Sequence, residues 1–445
     1  MSAGPKRAAG TAYGRGRMSP TFHSLAIRNY RIYFFGALVS NIGTWMARVA
    51  QDWLVLVDLT RHSASALGIV TGLQFLPFLL LAPWAGAVVD RFPKRALLMV
   101  TQTALGLVSL VTGLLVVFGW AQLWQVYVLA LLQGIATAFD NPARQAFVSE
   151  MVPTARLANA VALNSASFNA GRLIGPAAAG LVIAAWGTGV GLLINSATFG
   201  AVLLALTRLD PAALTPAPVT RGKGSIREGL AYVRGRPDLK LVMGLVFVLG
   251  TFGMNFQITM ALMATKIFGK GPTEFGLLGS IMAIGSLAAA LLSARRANPR
   301  LRHLVVSMAL FTVSAAAASL APTYAVFALT LIPVGLAALT ALTTANAMVQ
   351  LRTAPEMRGR VMALYMAIFM GGTPFGAPLI GWIGDAFGAR WTIGIGPLAL
   401  AITLFLVAIS LWRRENVRVT FTASARPHLQ ISTRAVTRPV PEPAR

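Results

Sequence analysis

Four residues of the first long apolar run could carry chemistry together. Asn41, Trp45, Arg48 and Asp52 recur at steps of four, three and four, which puts them on one face of a helix. A later run sets Asn169, Arg172 and Pro176 on one face, and another does the same for Gln133, Asp140 and Arg144. A charged side chain in such a run costs about 2.5–3.5 kcal/mol on insertion scales. A polar stripe two to three turns long is therefore expected to face a cavity or a partner helix. The chemistry open to it is ligand binding and proton exchange. Burial favours the neutral carboxylic acid and a nearby guanidinium favours the carboxylate, so an acid that an arginine approaches and leaves can load and release a proton. Of thirteen acidic residues, only Asp52 falls well inside an apolar run, with Asp140 next. These two are the candidate proton-coupling residues. Arg48 and Asp52 also form an i,i+4 pair, and two readings stay open: a permanent ion pair that fixes packing, or one that opens during a working cycle. Arg172 is the preferred functional cation, its alternative being a packing residue bridged to Asp140 or Asp52.

Other chemistry lacks its residues. The chain has no Cys, which excludes disulfides, thiolate metal sites and cysteine catalysis. His23, His62, His303 and His428 fall in tails or loops, so a histidine relay is not expected. Gly222-Lys-Gly and Gly269-Lys-Gly lack the remainder of a phosphate-binding loop, so ATP is not the energy source. With no metal-ligand spacing and no activated nucleophile, neither enzyme activity nor a metal or cofactor is expected.

The elements that position these residues are membrane spans. Hydrophobic residues make up 56% of the 445, charged ones 11%, and mean hydropathy is +0.68; a soluble surface of this size needs more charge. Twelve apolar runs of spanning length lie at 30–57, 66–89, 96–119, 123–143, 157–185, 188–208, 241–266, 274–294, 303–321, 324–349, 360–384 and 390–412. The net charge of +25 falls in alternate loops and in both tails, without the interleaved aromatics of a nucleic-acid surface, so nucleic acid is not an expected partner. The positive-inside rule then makes both termini cytoplasmic. Residues 1–28 form a polar tail with no cleavable signal, Met18 being an alternative start. Residues 29–208 and 241–413 form two six-helix bundles, joined by a linker at 209–240, and 414–445 form a second cytoplasmic tail. Within the linker, Ile226, Leu230 and Val233 share one face of a short amphipathic helix suited to the inner membrane surface. The bundles repeat: Pro153 and Pro355, Arg156 and Arg358, and Pro176 and Pro378 each lie 202 residues apart. The expected fold is an all-α polytopic membrane protein with twelve transmembrane helices in two pseudo-symmetric bundles.

Between the second and third runs stands Gly86-Ala-Val-Val-Asp-Arg-Phe-Pro-Lys-Arg95. This loop resembles the signature loop of the major facilitator superfamily, with Pro93 where Gly is usual. Gly43-Thr-Trp-Met-Ala-Arg-Val-Ala-Gln-Asp-Trp53, Asn141-Pro-Ala-Arg-Gln145, Gly175-Pro176 after Arg172, Arg227-Glu-Gly229 and Arg358-Gly-Arg360 resemble its enterobactin-exporter-like and macrolide-efflux-like branch. The resemblance implies a gate built from Gly86, Asp90, Arg91, Lys94, Arg95, Arg358 and Arg360. In it a helix of the other half packs on Gly86, and Asp90 accepts hydrogen bonds from the amides that open the eleventh span. In the second copy of the loop only Arg295 and Arg296 survive. Gly171, Gly175, Pro176 and Gly180 resemble the antiporter motif and allow close helix packing. Spans one, four, seven and ten are expected to line a central cavity. Its candidate substrate-binding residues are Asn41, Trp45, Arg48, Gln133, Asn169, Arg172, Asn255, Asn346 and Gln350, with Met, Phe and Leu filling the rest. The implied function is export of a small amphiphilic organic molecule such as a drug, siderophore or natural product. Proton antiport with alternating access drives it, in a monomer of the bacterial cytoplasmic (inner) membrane. Uptake or symport on the same fold is the alternative, and a non-transporting sensor or lipid-handling protein a more distant one. The partners are then a small-molecule substrate, protons and the lipid bilayer.

Overall fold

The computed structural model describes residues 20–215, 226–294, 299–415, 418–421 and 429–432. The segment Met1–Arg17, most of the linker's Pro-rich part, Arg295 and Arg296, and most of the C-terminal tail lie outside the described residues.

The helices begin and end where local chemistry dictates. α1 (Arg28–Trp53) runs on as a π-helical turn over Leu54–Leu59. The hydroxyl of Ser63 caps α2 (Ala64–Arg91) by accepting from the Ala66 amide at 3.3 Å. α2 stops at Phe92, which is extended because Pro93 follows, and α3 (Lys94–Val117) starts directly after that proline. α4 (Leu123–Met151) ends in the same way before Pro153. α5 (Thr154–Thr207) is two antiparallel helices folded at Gly187, whose φ of 82° and ψ of 171° suit only glycine. In the second half Gly388, at φ 99°, makes the matching turn.

α6 (Ile226–Arg234) precedes that half, which comprises α7 (Pro237–Val248), α8 (Phe256–Leu262), α9 (Pro272–Ala294), α10 (Leu301–Ser319), α11 (Tyr324–Arg352), α12 (Arg358–Gly371), α13 (Thr373–Phe387) and α14 (Ala389–Glu415). α7 and α8 form one interrupted span, as do α12 and α13. Among the described residues ten segments are long and apolar enough to cross a membrane. Dividing α5 at Gly187 adds an eleventh, and α1, whose polar stripe lowers its hydropathy, makes twelve. The fold is the all-α, twelve-helix arrangement. One local departure is a four-residue antiparallel pair in the tail, β1 (Arg418–Phe421) and β2 (Leu429–Ser432), with Arg418 opposite Ser432.

α6 differs from the expected surface helix. Gly229 and Val233 are buried and Leu230 is 45% exposed. Gly229 packs on Arg360 of α12, and Glu228 pairs with Arg360 at 2.7 Å. Its inward face is therefore directed at protein.

The halves meet along two seams, α2 on α13 and α5 on α9. Glycines bring the backbones close. A Cβ on Gly276 would stand 2.2 Å from the Pro176 carbonyl oxygen, and one on Gly381 2.4 Å from that of Ala64. Pro176 breaks the hydrogen-bond ladder of α5, and Ser280 of α9 repairs it. Its hydroxyl accepts from the Ala177 amide (3.2 Å) and donates to the Leu173 carbonyl (2.5 Å). Both seams hold tightly only at the end where α2 and α9 begin. There one apolar core runs through both halves, from Leu54 and Leu67 to Leu262 and Ile380. Toward the other end the first half has a core of its own around Tyr30, Tyr33 and Phe147, and Trp84, Leu291 and Phe168 are exposed.

Candidate functional site: a cavity between the halves

A cavity of about 310 Å³ lies where the seams part. α1 contributes Trp45, Arg48 and Asp52, α2 contributes Thr71 and Phe75, and α5 contributes Phe168, Arg172 and Pro176. The break between α7 and α8 adds Met254, Asn255 and Phe256, and α9, α12 and α13 complete the wall with Phe275, Met282, Phe369, Met370 and Thr373. A second cavity of about 270 Å³, containing Asn346, Thr343 and Tyr365, borders the first through Leu342 and Phe369. Gln350 joins it by donating to Asn346 at 2.7 Å.

Trp45 organises the charged part. The Arg48 guanidinium carbon lies 5.1 Å from the centre of the Trp45 ring and that of Arg172 5.8 Å, while Phe168 meets the indole edge-on at 5.6 Å. The Arg48–Asp52 pair is not closed in this state. Arg48 lies over Trp45, and no ion pair within 4 Å joins it to Asp52 among the described residues. Arg172 bridges neither Asp52 nor Asp140, and its Nε is buried without a hydrogen-bond partner. Gly171 packs on the Asn41 backbone and Gly175 on Trp45, which lets α1 and α5 share this region. Pro176 and Gly180 sit against α9.

Several residues of the expected site stand elsewhere. No residue of α4 lines the cavity, contrary to the expected wall of spans one, four, seven and ten; α2, α5, α9 and α13 contribute in its place. Asp140 is buried in a closed cluster, accepting from Thr101 (2.7 Å), Gln102 (2.7 Å) and Arg144 (3.0 Å). Gln133 accepts from Gln74, which also binds Gln51. Asn41 donates to Ser167, and Asn169 to the Ser165 carbonyl.

The gate residues are apart in this state. Gly86 has nothing within 4 Å of a built Cβ, and Asp90 and Arg91 are exposed. Among the described residues Asp90 makes no hydrogen bond with the start of α12, because the halves stand apart there. Lys94 pairs with Glu150 at 3.6 Å, Arg95 donates to the Leu206 carbonyl at 2.8 Å, and Arg358 to that of Gln350 at 3.2 Å. Each of these contacts stays within one half.

The opposite end is sealed by a residue the sequence did not single out. Asp385 of α13 accepts from the amides of Ala64 and Ser65, both at 2.8 Å, and from the Ser63 hydroxyl at 3.2 Å. A carboxylate of one half thus caps the first turn of α2 in the other, where the helix dipole also favours it. Lys266 stands 3.9 Å away.

The family described as transmembrane secretion effector matches residues 19–435. The chain belongs to that family of major facilitators. It is similar to the staphyloferrin A transporter of Staphylococcus aureus, at 26% identity over 85% of this chain and 96% of the relative. It is also similar to the multidrug efflux pump Tap of Mycolicibacterium fortuitum, at 29% over 85% and 93%, and to macrolide efflux protein A of Streptococcus pyogenes, at 22% over 88% and 99%. Among solved structures, a point mutant of the nucleoside transporter NupG superposes with a TM-score of 0.69 at 13% identity, covering 86% of this chain and 99% of that one. The D-xylose–proton symporter gives 0.65 at 15%, over 86% and 97%. These structures share the fold.

Proposed function

We propose that this chain exports small amphiphilic organic molecules across the bacterial inner membrane by alternating access, coupled to proton antiport, with both termini cytoplasmic. The observation that carries the reading is the cavity itself, an apolar and aromatic wall around Trp45, Arg48, Asp52 and Arg172, sealed at one end and splayed at the other. With the termini inside, the splayed end faces the cytoplasm and admits cargo. Three relatives named for siderophore, multidrug and macrolide transport or efflux support an amphiphilic cargo. Asp52 is the proton-binding group. It is buried beside the cavity and, among the described residues, is held by no ion pair, so its protonation is free to respond to the movement of Arg48. Asp385 and Asp90 serve as alternate seals. As the halves rock, the Asp385 cap on α2 is released outside while Asp90 reaches the amides that open α12 inside. In this reading residues 29–208 and 241–413 are the two moving bundles, with 1–28 and 414–445 as tails and 209–240 as the linker; the described helices pass these bounds by a few residues, α7 starting at Pro237 and α14 running to Glu415.

The test is flux. Purified protein in liposomes under an imposed pH gradient is given a panel of labelled drugs, siderophores and acidic natural products. At least one compound is expected to move only when the gradient is present. Gradient-independent behaviour across the whole panel, matching empty liposomes, would overturn the reading.

A further inference from the structure

The cavity carries a charge imbalance that specifies its cargo more narrowly. Two guanidiniums, Arg48 and Arg172, share one indole, and among the described residues Asp52 is the only carboxylate in the wall. Neither arginine has an ion pair among the described residues, and Arg172 Nε is buried with nothing to donate to. An aromatic face attracts a cation, but it accepts no directional hydrogen bond and returns much less than a carboxylate would. Even with Asp52 ionised, the wall keeps one positive charge more than it neutralises. Both arginine side chains are half-buried, and a charge partly withdrawn from water is best held by a partner of opposite sign, which for two guanidiniums is an anion. Phe168 stands edge-on to Trp45 beside the guanidiniums, so the same place offers apolar surface to the rest of the ligand.

We propose that Arg48 and Arg172 form a subsite for the acidic group of an aromatic organic anion, a carboxylate or sulfonate, whose ring system lies against Trp45 and Phe168. The proposal rests on the reading of the cavity as the cargo site and is independent of which ion drives the cycle. It selects against cationic amphiphiles, since a cation placed there meets two unpaired guanidiniums. A guanidinium offers parallel N–H donors to both oxygens of a carboxylate, so geometry as well as charge enters the selection. Outward movement of an organic anion also runs with a membrane potential that is negative inside.

A matched set of probes tests it: radiolabelled 2-naphthoate, the cation 2-naphthylmethylammonium and the neutral 2-naphthalenemethanol, all bound to detergent-purified full-length protein. Naphthoate is expected to bind at least tenfold more tightly than the cation. Arg48→Gln and Arg172→Gln are each expected to weaken naphthoate at least tenfold while changing the neutral probe less than threefold. Arg172→Lys keeps the charge and loses the fork, and an intermediate loss is expected; this variant decides the matter if Arg172→Gln does not elute as a monodisperse protein. Equal or tighter binding of the cation overturns the proposal, as does unchanged naphthoate affinity in folded glutamine variants, or binding of none of the three. The transport reading fails separately: naphthoate bound in this pattern, with no compound moved in liposomes, would support the anion subsite and sink the exporter.

Discussion

Removing the Asp385 carboxylate should unlock the sealed end. Asp385→Ala deletes three hydrogen bonds to the first turn of α2, two of 2.8 Å from backbone amides and one of 3.2 Å from Ser63. Loss of a helix cap costs about 0.5–2 kcal/mol, and buried hydrogen bonds to a charged group about 1.5–3 kcal/mol each. The side chain is 31% exposed, so water replaces part of what is lost, and Lys266 at 3.9 Å adds little at a wet site. A net cost of about 2 kcal/mol to the closed form follows. At 1.36 kcal/mol per factor of ten, this is about a thirtyfold shift between the closed and open forms of that end. A population at about 1% open would rise to roughly a quarter. The chain has no Cys, so spin labels can be placed at Arg61 and Phe387, both exposed at the sealed end, without background. Pulsed dipolar distances should show a second, longer population in Asp385→Ala and little change in Asp385→Glu if its longer arm still reaches the amides. Identical distance distributions in the wild type and Asp385→Ala would refute the role given to this cap.

Three further outcomes are expected. Gly276→Ala would bring a Cβ to 2.2 Å from the Pro176 carbonyl oxygen, a backbone clash that must part the α5–α9 seam; the melting temperature should fall and the same spin-label pair should lengthen. Asp140→Asn weakens the cluster with Thr101, Gln102 and Arg144 and leaves a buried guanidinium without its counter-charge, typically about 3–5 kcal/mol. A large loss of thermal stability is expected, with the pH dependence of flux per folded molecule unchanged; altered coupling would return Asp140 to the proton pathway. Asp90→Asn should leave the distances of the state described here unchanged, because Asp90 is exposed in it, and should depopulate the opposite state, read from labels at the exposed Ser149 and Glu356.

The membrane spans, the repeat of the halves and the polar stripe on α1 were legible because each rests on local spacing. What the stripe faces was less so. Asn41 and Asp52 share a helix face with Trp45 and Arg48, yet Asn41 is taken up by Ser167 of α5 while Asp52 reaches the cavity. Asp140 looked like a second carrier because its partners Thr101 and Gln102 lie 39 and 38 residues away on α3. Asp385 is an isolated acid at the end of an apolar run, a pattern that a mere topology charge would also give. Its partners lie 320 to 322 residues upstream, and only the packing of α2 on α13 brings them together. The aromatic wall residues Phe75 and Phe369 carry no sequence mark that separates them from lipid-facing ones such as Phe405. Ser63-Ala-Ser65, a capping sequence opposite the end of the eleventh span, is the one signal that could have pointed to the seal.

Simultaneous measurement of cargo and proton movement tests the central claim most directly. Vesicles with the cytoplasmic face outward, an acid lumen and a trapped pH dye receive an external cargo found in the flux panel. Wild-type protein is expected to accumulate cargo in the lumen while the lumen turns alkaline faster than without cargo; a protonophore, which collapses the gradient by itself, should abolish the accumulation and the cargo-dependent difference in lumen pH. Asp52→Asn should bind cargo but neither accumulate it nor discharge the gradient. Cargo accumulation that leaves the decay of lumen pH unchanged, or that persists in full in Asp52→Asn, would contradict proton-coupled export through this residue.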